Sequence, residues 1–240
     1  MKNLILSALI IASVVLTGCN KGGSSSAEYR VKNITSAKGM STLFVYNTDN
    51  KIKSTQNSDS TKADFTYNGN TITQHAADVI HGQSMTSTLH LSAAGYVDST
   101  TASDPSGTYL KLETHDADGY TTSSKEFMSG IMKRLTQSTF KEGNETVRTI
   151  SDADSKPIVN IYFDYFTDKS NSLSAENLGM KFLGKDSKNL MKKYVQVLAK
   201  GDTVGTGTFT YKFDDKGRVI QKSAFDKAGM LADSTTFTYY

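Results

Sequence analysis

The chain has 240 residues, a formal net charge of +3 and a mean hydropathy of −0.40. Its 27 basic residues are nearly balanced by 24 acidic ones, so bulk charge excludes a chain built to bind nucleic acid or an anionic lipid surface. Cys19 is the single cysteine of the sequence, which excludes an intrachain disulfide and leaves stability to the packing of the fold.

The first residues have the pattern of an export signal. Lys2 precedes an apolar run from residue 4 to residue 16, which is shorter than the roughly 20 residues a membrane-spanning helix needs. The run ends in Leu-Thr-Gly-Cys at residues 16–19, a lipobox in which the thiol of Cys19 takes a diacylglyceryl group. We therefore predict a lipoprotein signal peptide at 1–18 and lipidation of Cys19; a secretory peptide with an incidental cysteine is the alternative.

Residues 19–27 follow as a Gly- and Ser-rich tether, a composition typical of flexible linkers. Asn20, rather than an aspartate, stands after the lipidated position, and this favours sorting to the outer membrane in the usual logic of bacterial lipoproteins. The sequence leaves open whether the protein faces the periplasm or the cell surface. Residues 28–240 are predicted to form one domain.

A hairpin unit repeats along that domain, and its clearest copy is residues 209–220. Phe209, Tyr211 and Phe213 alternate with polar residues, as on a strand with two different faces. Asp214-Asp215-Lys216-Gly217 then forms a turn, in which the aspartate caps the turn and the glycine supplies a positive φ. Related turns are predicted at 47–50, 68–70, 92–95, 116–119, 152–155 and 226–229, with a final strand at 236–240.

These repeats predict an all-β fold: an extended antiparallel sheet of roughly 10–14 short strands, either single-layered or curled toward a barrel. The long connection 169–188 interrupts the pattern and is predicted to fold back as a lid over one sheet face, with a helical turn at 174–178. Residues 160–166 and 190–198 carry apolar side chains at both strand parities, so both strands are expected to be covered on two sides.

The unit at 209–220, an aromatic-x-Tyr-x-aromatic strand followed by Asp-x-x-Gly-Arg-Val-Ile, resembles YD-type hairpin repeats. Together with residues 165–169 and 182–190, it is similar to a family of gut-bacterial lipoproteins that form single-layer or barrel-like sheets of β-hairpins. The resemblance extends from about residue 138 to the end. It implies the fold, and it implies no established activity or catalytic residue.

Motifs for enzymatic chemistry are not evident. The histidines at 75, 81, 90 and 115 are dispersed, and surface positions explain them better than a zinc site. Asp116 and Asp118 suggest a calcium loop, but the twelfth loop position is Phe127 where a glutamate is needed. No Gly-x-Ser-x-Gly elbow and no phosphate-binding glycine loop occurs. We therefore expect no enzyme, no metal and no cofactor.

Aromatic residues are more informative, with 12 tyrosines and 11 phenylalanines but no tryptophan. Cross-strand aromatic pairs stabilise a thin sheet by roughly 0.2–1 kcal/mol each, and the same residues could form a platform for a ligand. The candidate platform comprises Tyr162, Phe163, Tyr165, Phe209, Tyr211 and Phe213. The absence of tryptophan weakens a sugar-stacking role.

Four Asp-Ser/Thr sequences match an O-glycosylation pattern of gut bacteria, with candidate acceptors at Ser60, Ser99, Thr203 and Ser234. Chance matches are expected in a chain so rich in serine and threonine.

The sequence predicts a lipid-anchored outer-membrane protein that binds a glycan or a protein through an aromatic sheet face or a free sheet edge. It is not predicted to bind nucleic acid. One alternative is a structural spacer in an outer-membrane assembly, and another is a hydrolase of a polymer. A membrane-spanning pore is disfavoured because the strands are short and rich in serine and threonine.

Overall fold

The computed structural model describes residues 30–104 and 107–240, which form one antiparallel β-barrel closed by pairing of the first strand with the last. The strands are β1 Val31–Ser36, β2 Ser41–Tyr46, β3 Ile52–Asn57, β4 Thr61–Asn68, β5 Thr71–Asp78, β6 Gln83–Leu91, β7 Val97–Asp104, β8 Gly107–His115, β9 Thr121–Met128, β10 Ile131–Lys141, β11 Asn144–Ser151, β12 Pro157–Ser170, β13 Asn189–Leu198, β14 Thr203–Phe213, β15 Val219–Phe225 and β16 Leu231–Tyr239. Each strand pairs with its sequence neighbours.

The prediction of an all-β, barrel-like sheet is confirmed, but its range of strand numbers was too low, since the barrel has 16 strands. The underestimate has a compositional cause: polar strands such as β3, with the sequence Ile-Lys-Ser-Thr-Gln-Asn, carry few apolar residues to mark them. Closure also removes the free sheet edge predicted as a binding surface, because every described strand has two hydrogen-bonded neighbours.

The tight turns use the predicted chemistry. The Asp214 carboxylate accepts hydrogen bonds from the backbone N–H groups of Lys216 and Arg218, at 3.1 and 2.8 Å. Asp226 does the same for Ala228 and Met230 at 2.9 Å each. The glycines that end these turns have φ of 76° and 79°, a region that favours glycine. The side chains thus fix the hairpins locally.

Alternate hairpin turns lie at opposite ends of the barrel. One end, which we call the closed end, holds Arg30, Tyr240 and the long connection 171–188, which we call the cap. The other end, the open end, carries the turns β1–β2, β3–β4, β5–β6, β7–β8, β9–β10, β11–β12, β13–β14 and β15–β16.

A ring of aliphatic residues lies just inside the closed end. Val31, Ile52, Ile72, Val97 and Val219 each begin a strand or stand second in it, and each is at most 1% exposed. Tyrosine hydroxyls on the following strands donate to backbone carbonyls of this level: Tyr46 to Val31, Tyr67 to Ile52, and Tyr239 to Val219, at 2.6 to 2.8 Å. The repeated Val or Ile after each turn is therefore the inner ring of the core.

The cap packs across this ring and completes the core. Its buried apolar side chains are those of Leu173, Ala175, Leu178, Met180 and Phe182. It follows the barrel rim as it crosses, since Ser172 Oγ accepts from Val219 N at 2.9 Å and Gly179 O accepts from Ile52 N at 3.0 Å. Leu178 N donates to Ser174 O at 3.1 Å and closes the helical turn expected there. The lid-like segment exists, but it seals one end of the barrel and does not lie over the face of a flat sheet.

The expectation that two strands would be covered on both sides was wrong for β12. Ile161 faces the barrel interior at 8% exposure, whereas Tyr162 is 47% exposed on the outside. A barrel wall has only one inner face, so outer apolar side chains are shielded by their neighbours alone. Tyr162 pairs with Val147 on one side and with Val195 on the other. Within the described residues, no helix has the length and hydropathy required to cross a membrane.

Candidate functional site

A cavity of about 100 Å³ lies between the cap and the inner wall formed by strands β4 to β9. Its apolar lining includes Phe65, Met85, Leu89, Ala102, Met128, Met180, Phe182 and Leu183. The cap supplies the last three of these, so the segment that seals the barrel also forms the floor of the cavity. The cavity continues along β7 and β8 to Asp104 and Gly107, beside the turn at the open end.

The polar part of the lining comes mainly from β8. Lys111 and Glu113 both face inward, and Lys111 Nζ lies 2.8 Å from Glu113 Oε1. On the neighbouring strands, Arg134 lies 3.9 Å from Glu126. Lys111 and Glu113 thus neutralise each other in the cavity wall, whereas Arg134 and Glu126 lie outside its lining.

Tyr109 is a residue of the cavity lining whose hydroxyl is enclosed by protein atoms. Its hydroxyl is buried and makes no hydrogen bond to any described residue. Burial raises the pKa of Tyr109 above its ordinary value, with smaller contributions from Glu126 and Glu113, so the phenol remains a neutral donor. A buried unsatisfied hydroxyl costs about 1–3 kcal/mol, and a ligand oxygen would remove that cost if the side chains around the cavity moved to uncover it.

The opposite wall of the barrel is aromatic and cationic. The ring centroids of Tyr194 and Phe209 are 6.0 Å apart, and Lys222 Nζ lies 4.5 Å from the Phe209 centroid. Gly207 makes room for this arrangement, because a Cβ there would lie 2.4 Å from the Tyr194 ring. Burial lowers the pKa of Lys222, and the carboxylate of Asp233 acts in the opposite direction. This wall is packed with side chains and contributes nothing to the cavity lining.

A buried ion pair connects the wall to the cap. Glu145 is 2% exposed and accepts from Arg148 through both oxygens, at 2.8 and 2.6 Å. Ser138 donates to the same carboxylate at 2.6 Å, and Glu145 N donates to Ser187 Oγ of the cap at 2.9 Å. These contacts hold the last residues of the cap against β10 and β11.

Asp186 is the ionisable group most affected by this environment. Its Oδ2 accepts from Ala175 N at 2.6 Å, which joins the two halves of the cap. Burial, with a smaller contribution from the negative charge of Glu145, raises the pKa of Asp186 to about 7. The hydrogen bond from Ala175 and the positive charge of Arg148 oppose that rise. The cap therefore contains a carboxyl group that titrates near neutral pH.

The predicted platform residues do not form one exposed surface. Phe163 faces inward, with the Arg148 guanidinium 5.4 Å from its centroid, and Tyr165 accepts a hydrogen bond from Ser187 of the cap. Tyr211 and Phe213 pack against the core, and Phe209 lies on the aromatic inner wall. Tyr162 alone is exposed, on the outside. The structure uses most of these residues for packing, and none of them lines the cavity.

The other sequence candidates are dispersed. The acceptor candidates are Ser60 in the β3–β4 turn, Ser99 in β7, exposed Thr203 at the start of β14, and Ser234 in β16, which accepts from Gln221. Residues 1–29, including Cys19, the signal peptide and the tether, lie outside the described residues. In residues 30–104 and 107–240, no three His, Cys, Asp or Glu side chains are grouped as metal ligands.

Sequence reasoning missed the cavity residues Tyr109, Lys111, Glu113 and Phe182. The signal available was the alternation in β8, where Tyr, Lys and Glu share one face while Leu110 and Leu112 share the other. The polar face lies inside the barrel, the reverse of the usual arrangement. Only the closed topology reveals which face is enclosed.

Solved structures of other proteins share this fold, including the following two. A porin-like protein from Bacteroides uniformis ATCC 8492 matches with a TM-score of 0.64 at 14% identity, over 88% of this chain and 98% of the other. A porin-like protein from Bacteroides vulgatus ATCC 8482 matches with a TM-score of 0.63 at 13% identity, over 88% and 99% of the two chains. These similarities establish the barrel fold. No protein-family model and no curated protein matches the chain.

Proposed function

We propose that this protein is a lipid-anchored protein of the bacterial envelope that binds a small, uncharged and largely apolar molecule inside its barrel. The observation that carries the proposal is the cavity under the cap, with its apolar floor and the unpartnered hydroxyl of Tyr109. Ligand sites in proteins are typically concave and mostly apolar, with a few polar groups that fix orientation.

The volume sets the scale of the ligand. An engineered apolar cavity of about 150 Å³ binds benzene, so a site of comparable size takes one ring or a short aliphatic chain. Paired charges on the wall favour a neutral molecule, and Tyr109 calls for a carbonyl, ether or hydroxyl oxygen. Methionines at 85, 128 and 180 can adapt their shape to different ligands.

The outer wall argues for a barrel surrounded by water. Lys62 and Asp64 form an ion pair on the outside of β4, with both side chains nearly half exposed, and exposed threonines flank it at 66 and 86. A lysine facing lipid near the bilayer midplane costs about 2–4 kcal/mol. The cap also crosses one end of the lumen. We therefore favour a binding barrel over a membrane-spanning pore.

The envelope location rests on two supports. The N-terminal sequence has a lipobox at residues 16–19, and solved structures with this fold include two porin-like proteins of Bacteroides. We favour a binding role over an enzymatic one because the lining is mostly apolar and one of its two carboxylates, that of Glu113, is held in an ion pair. The sequence-based alternatives, a glycan or protein ligand and a structural spacer, would use the outer surface and leave the cavity unused.

Binding can be tested with residues 20–240, which contain every described strand, the cap and the core. The probe is fluorobenzene, a neutral single-ring molecule whose fluorine NMR signal shifts and broadens in the bound state. The protein contains no fluorine, so the signal of the probe is observed without background. Saturable binding that neutral apolar competitors displace is the expected result.

Matched variants at adjacent residues locate the site. Ala102 is 7% exposed and lines the cavity, whereas Thr101 is exposed on the outer wall. Ala102→Phe should fill the cavity and reduce probe affinity at least about ten-fold, while Thr101→Phe should leave it unchanged. Equal binding by both variants, with both folded in thermal melts, would assign the probe to another site and reject the proposal.

The anchor needs its own experiment. Intact mass and metabolic labelling with a fatty acid should show diacylglyceryl and acyl groups on the native protein, and both should disappear in Cys19→Ala. A native protein cleaved elsewhere and without lipid would contradict the anchor and leave the cavity proposal standing.

A further inference from the structure

The exposed apolar side chains of the barrel are concentrated at its open end. Met40, Val79, Ile80, Ile131, Met230 and Leu231 are each 58% to 69% exposed, and they lie in or directly beside the turns β1–β2, β5–β6, β9–β10 and β15–β16. We name this set the open rim. Large aliphatic side chains at turn tips are unusual, because turns favour Gly, Asn, Asp and Ser.

Two more residues extend the rim around the circle. Ile158 follows the β11–β12 turn at 48% exposure, and Val204 follows the β13–β14 turn at 56%. Among the described residues of the closed end, the exposed large apolar side chains are those of Tyr240 and Ile220. Exposed apolar side chains are therefore more numerous at the open end than at the closed end. The composition of the whole chain does not explain this difference between the ends.

We propose that the open rim docks the barrel on a lipid bilayer, so that the mouth of the lumen faces the membrane surface. The apolar side chains stand at separate turn tips around a ring that 16 strands make roughly 30 Å across. They form neither a groove nor one compact patch. A fluid, planar bilayer can bury side chains at several separate turn tips at once. A folded protein partner would need apolar pockets arranged in a ring of the same diameter.

The rest of the chain is consistent with this orientation. The described fold begins at Arg30 on the closed end, and residues 19–29 precede it. Eleven residues can span at most about 36–40 Å, which exceeds the roughly 20 Å height of an eight-residue strand tilted in a barrel. A lipid on Cys19 therefore allows the open rim to reach the membrane. The reach of the lipid depends on the proposed anchor, whereas the docking of the open rim does not.

The charges of the rim predict an apolar mode of attachment. Lys156 lies 3.3 Å from Asp154, and Lys200 lies 2.8 Å from Asp202, so both lysines are paired with carboxylates. The other lysines of the open-end turns, at 38 and 227, are outnumbered there by aspartates at 59, 78 and 226. Attraction to anionic lipid is thereby weakened. Docking should occur on zwitterionic vesicles and should change little with salt, which screens exposed charges.

The test is flotation of residues 20–240, which lack Cys19, with phosphatidylcholine vesicles. The wild-type protein should float with the vesicles in a saturable manner. A rim variant that combines Val79→Ser, Ile80→Ser, Met230→Ser and Leu231→Ser should lose at least ten-fold in partition coefficient. These positions are exposed, so the variant should fold and retain probe binding in the lumen.

A matched control removes four exposed apolar residues elsewhere on the barrel: Leu43→Ser, Leu112→Ser, Tyr162→Ser and Ile220→Ser. It should float like wild type. The inference is overturned by wild-type protein that stays unbound at every vesicle concentration, or by equal flotation of the rim and control variants. It is also overturned by rim-dependent self-association without vesicle binding, which would assign the rim to a second copy of the chain. Probe binding in solution is measured separately, so the two proposals can fail independently.

Discussion

The two ends of this barrel are built from the same hairpin unit but place their aliphatic residues differently. At the closed end, aliphatic residues that follow the turns point inward, and the cap covers them. At the open end, aliphatic residues in the turns point outward and no described segment covers them. The closed end therefore holds the buried apolar contacts of the fold, while the apolar side chains of the open end are available for contact. We expect perturbations at the closed end to cost far more stability than perturbations at the open end.

The largest effect is expected from removal of the cap. Asn171 N lies 3.4 Å from Lys188 O, so residues 172–187 can be replaced by Asn-Gly, the tightest hairpin turn. The deletion exposes the aliphatic ring and removes Leu173, Leu178 and Phe182 from the core. Each such loss costs about 2–5 kcal/mol, so we expect loss of cooperative unfolding or a melting temperature lower by more than about 10 °C. Melting within a degree or two of wild type would contradict a structural cap.

The second-largest loss of stability is expected when the buried ion pair under the cap is broken. Arg148→Met leaves the enclosed carboxylate of Glu145 without its cation, which typically costs about 3–5 kcal/mol. The open-end pair Lys200–Asp202 is 71% and 62% exposed, and Lys200→Met should change stability by less than about 1 kcal/mol. Urea unfolding of both variants gives the comparison directly. Similar losses at the two ends would show that the ends are energetically alike.

The pH dependence of stability should also originate at the closed end. The pKa of Asp186 is about 7 in the fold against 3.8 for the ordinary carboxyl group. Because the folded value is raised, its stabilising effect is complete below the unfolded pKa and is lost as pH rises toward 7. Relative to Asp186→Asn, wild-type stability should decline by up to about 1.4 kcal/mol per pH unit between pH 4 and 7, and then remain constant.

Melts of wild type and Asp186→Asn across this range supply the measurement, since other carboxyl groups cancel in the difference. The variant should equal wild type near pH 4 and exceed it near pH 8. If the difference in stability between wild type and variant does not vary with pH, Asp186 is ionised throughout this range. The prediction of a neutral carboxyl group in the cap would then be wrong.

The hairpins could be predicted from the sequence because their determinants are local. Asp214 and Gly217 define a turn through bonds within five residues, and the alternation from Phe209 to Phe213 needs no distant partner. Closure of the barrel could not be derived, since it depends on β1 meeting β16 some 200 residues away in the chain. The resemblance to a family of β-hairpin sheets was compatible with both a barrel and a single-layer sheet, and it did not decide between them.

The site was less accessible to prediction for a physical reason. Alternation divides a strand such as β8 into two faces but does not say which face is enclosed, and here Lys111 and Glu113 are inside while Leu112 is 39% exposed. The aromatic content of the sequence favoured Phe209 and Tyr211 as ligand-binding residues, whereas the structure uses both for packing. The unpartnered Tyr109 has no local signature, because only the surrounding strands and the cap determine whether its hydroxyl finds a partner.

The smallest effect on stability, and the sharpest on function, is expected at Tyr109. Its hydroxyl has no hydrogen bond to lose among the described residues, so Tyr109→Phe should leave the free energy of unfolding unchanged or raise it by less than about 1 kcal/mol. A neutral ligand with an oxygen acceptor should bind the variant about five- to ten-fold more weakly, the loss expected for one hydrogen bond, while an apolar ligand of the same shape should bind equally well. Phenol and toluene form such a pair for competition against the fluorobenzene probe. If the variant binds phenol and toluene more weakly by the same factor, the substitution has changed the shape of the cavity. If each competitor binds the variant as tightly as it binds wild type, Tyr109 does not contact the ligand. A loss confined to phenol is expected from a hydrogen-bond donor at the bound ligand, and it is not expected from a change in the shape of the cavity, which would weaken both competitors.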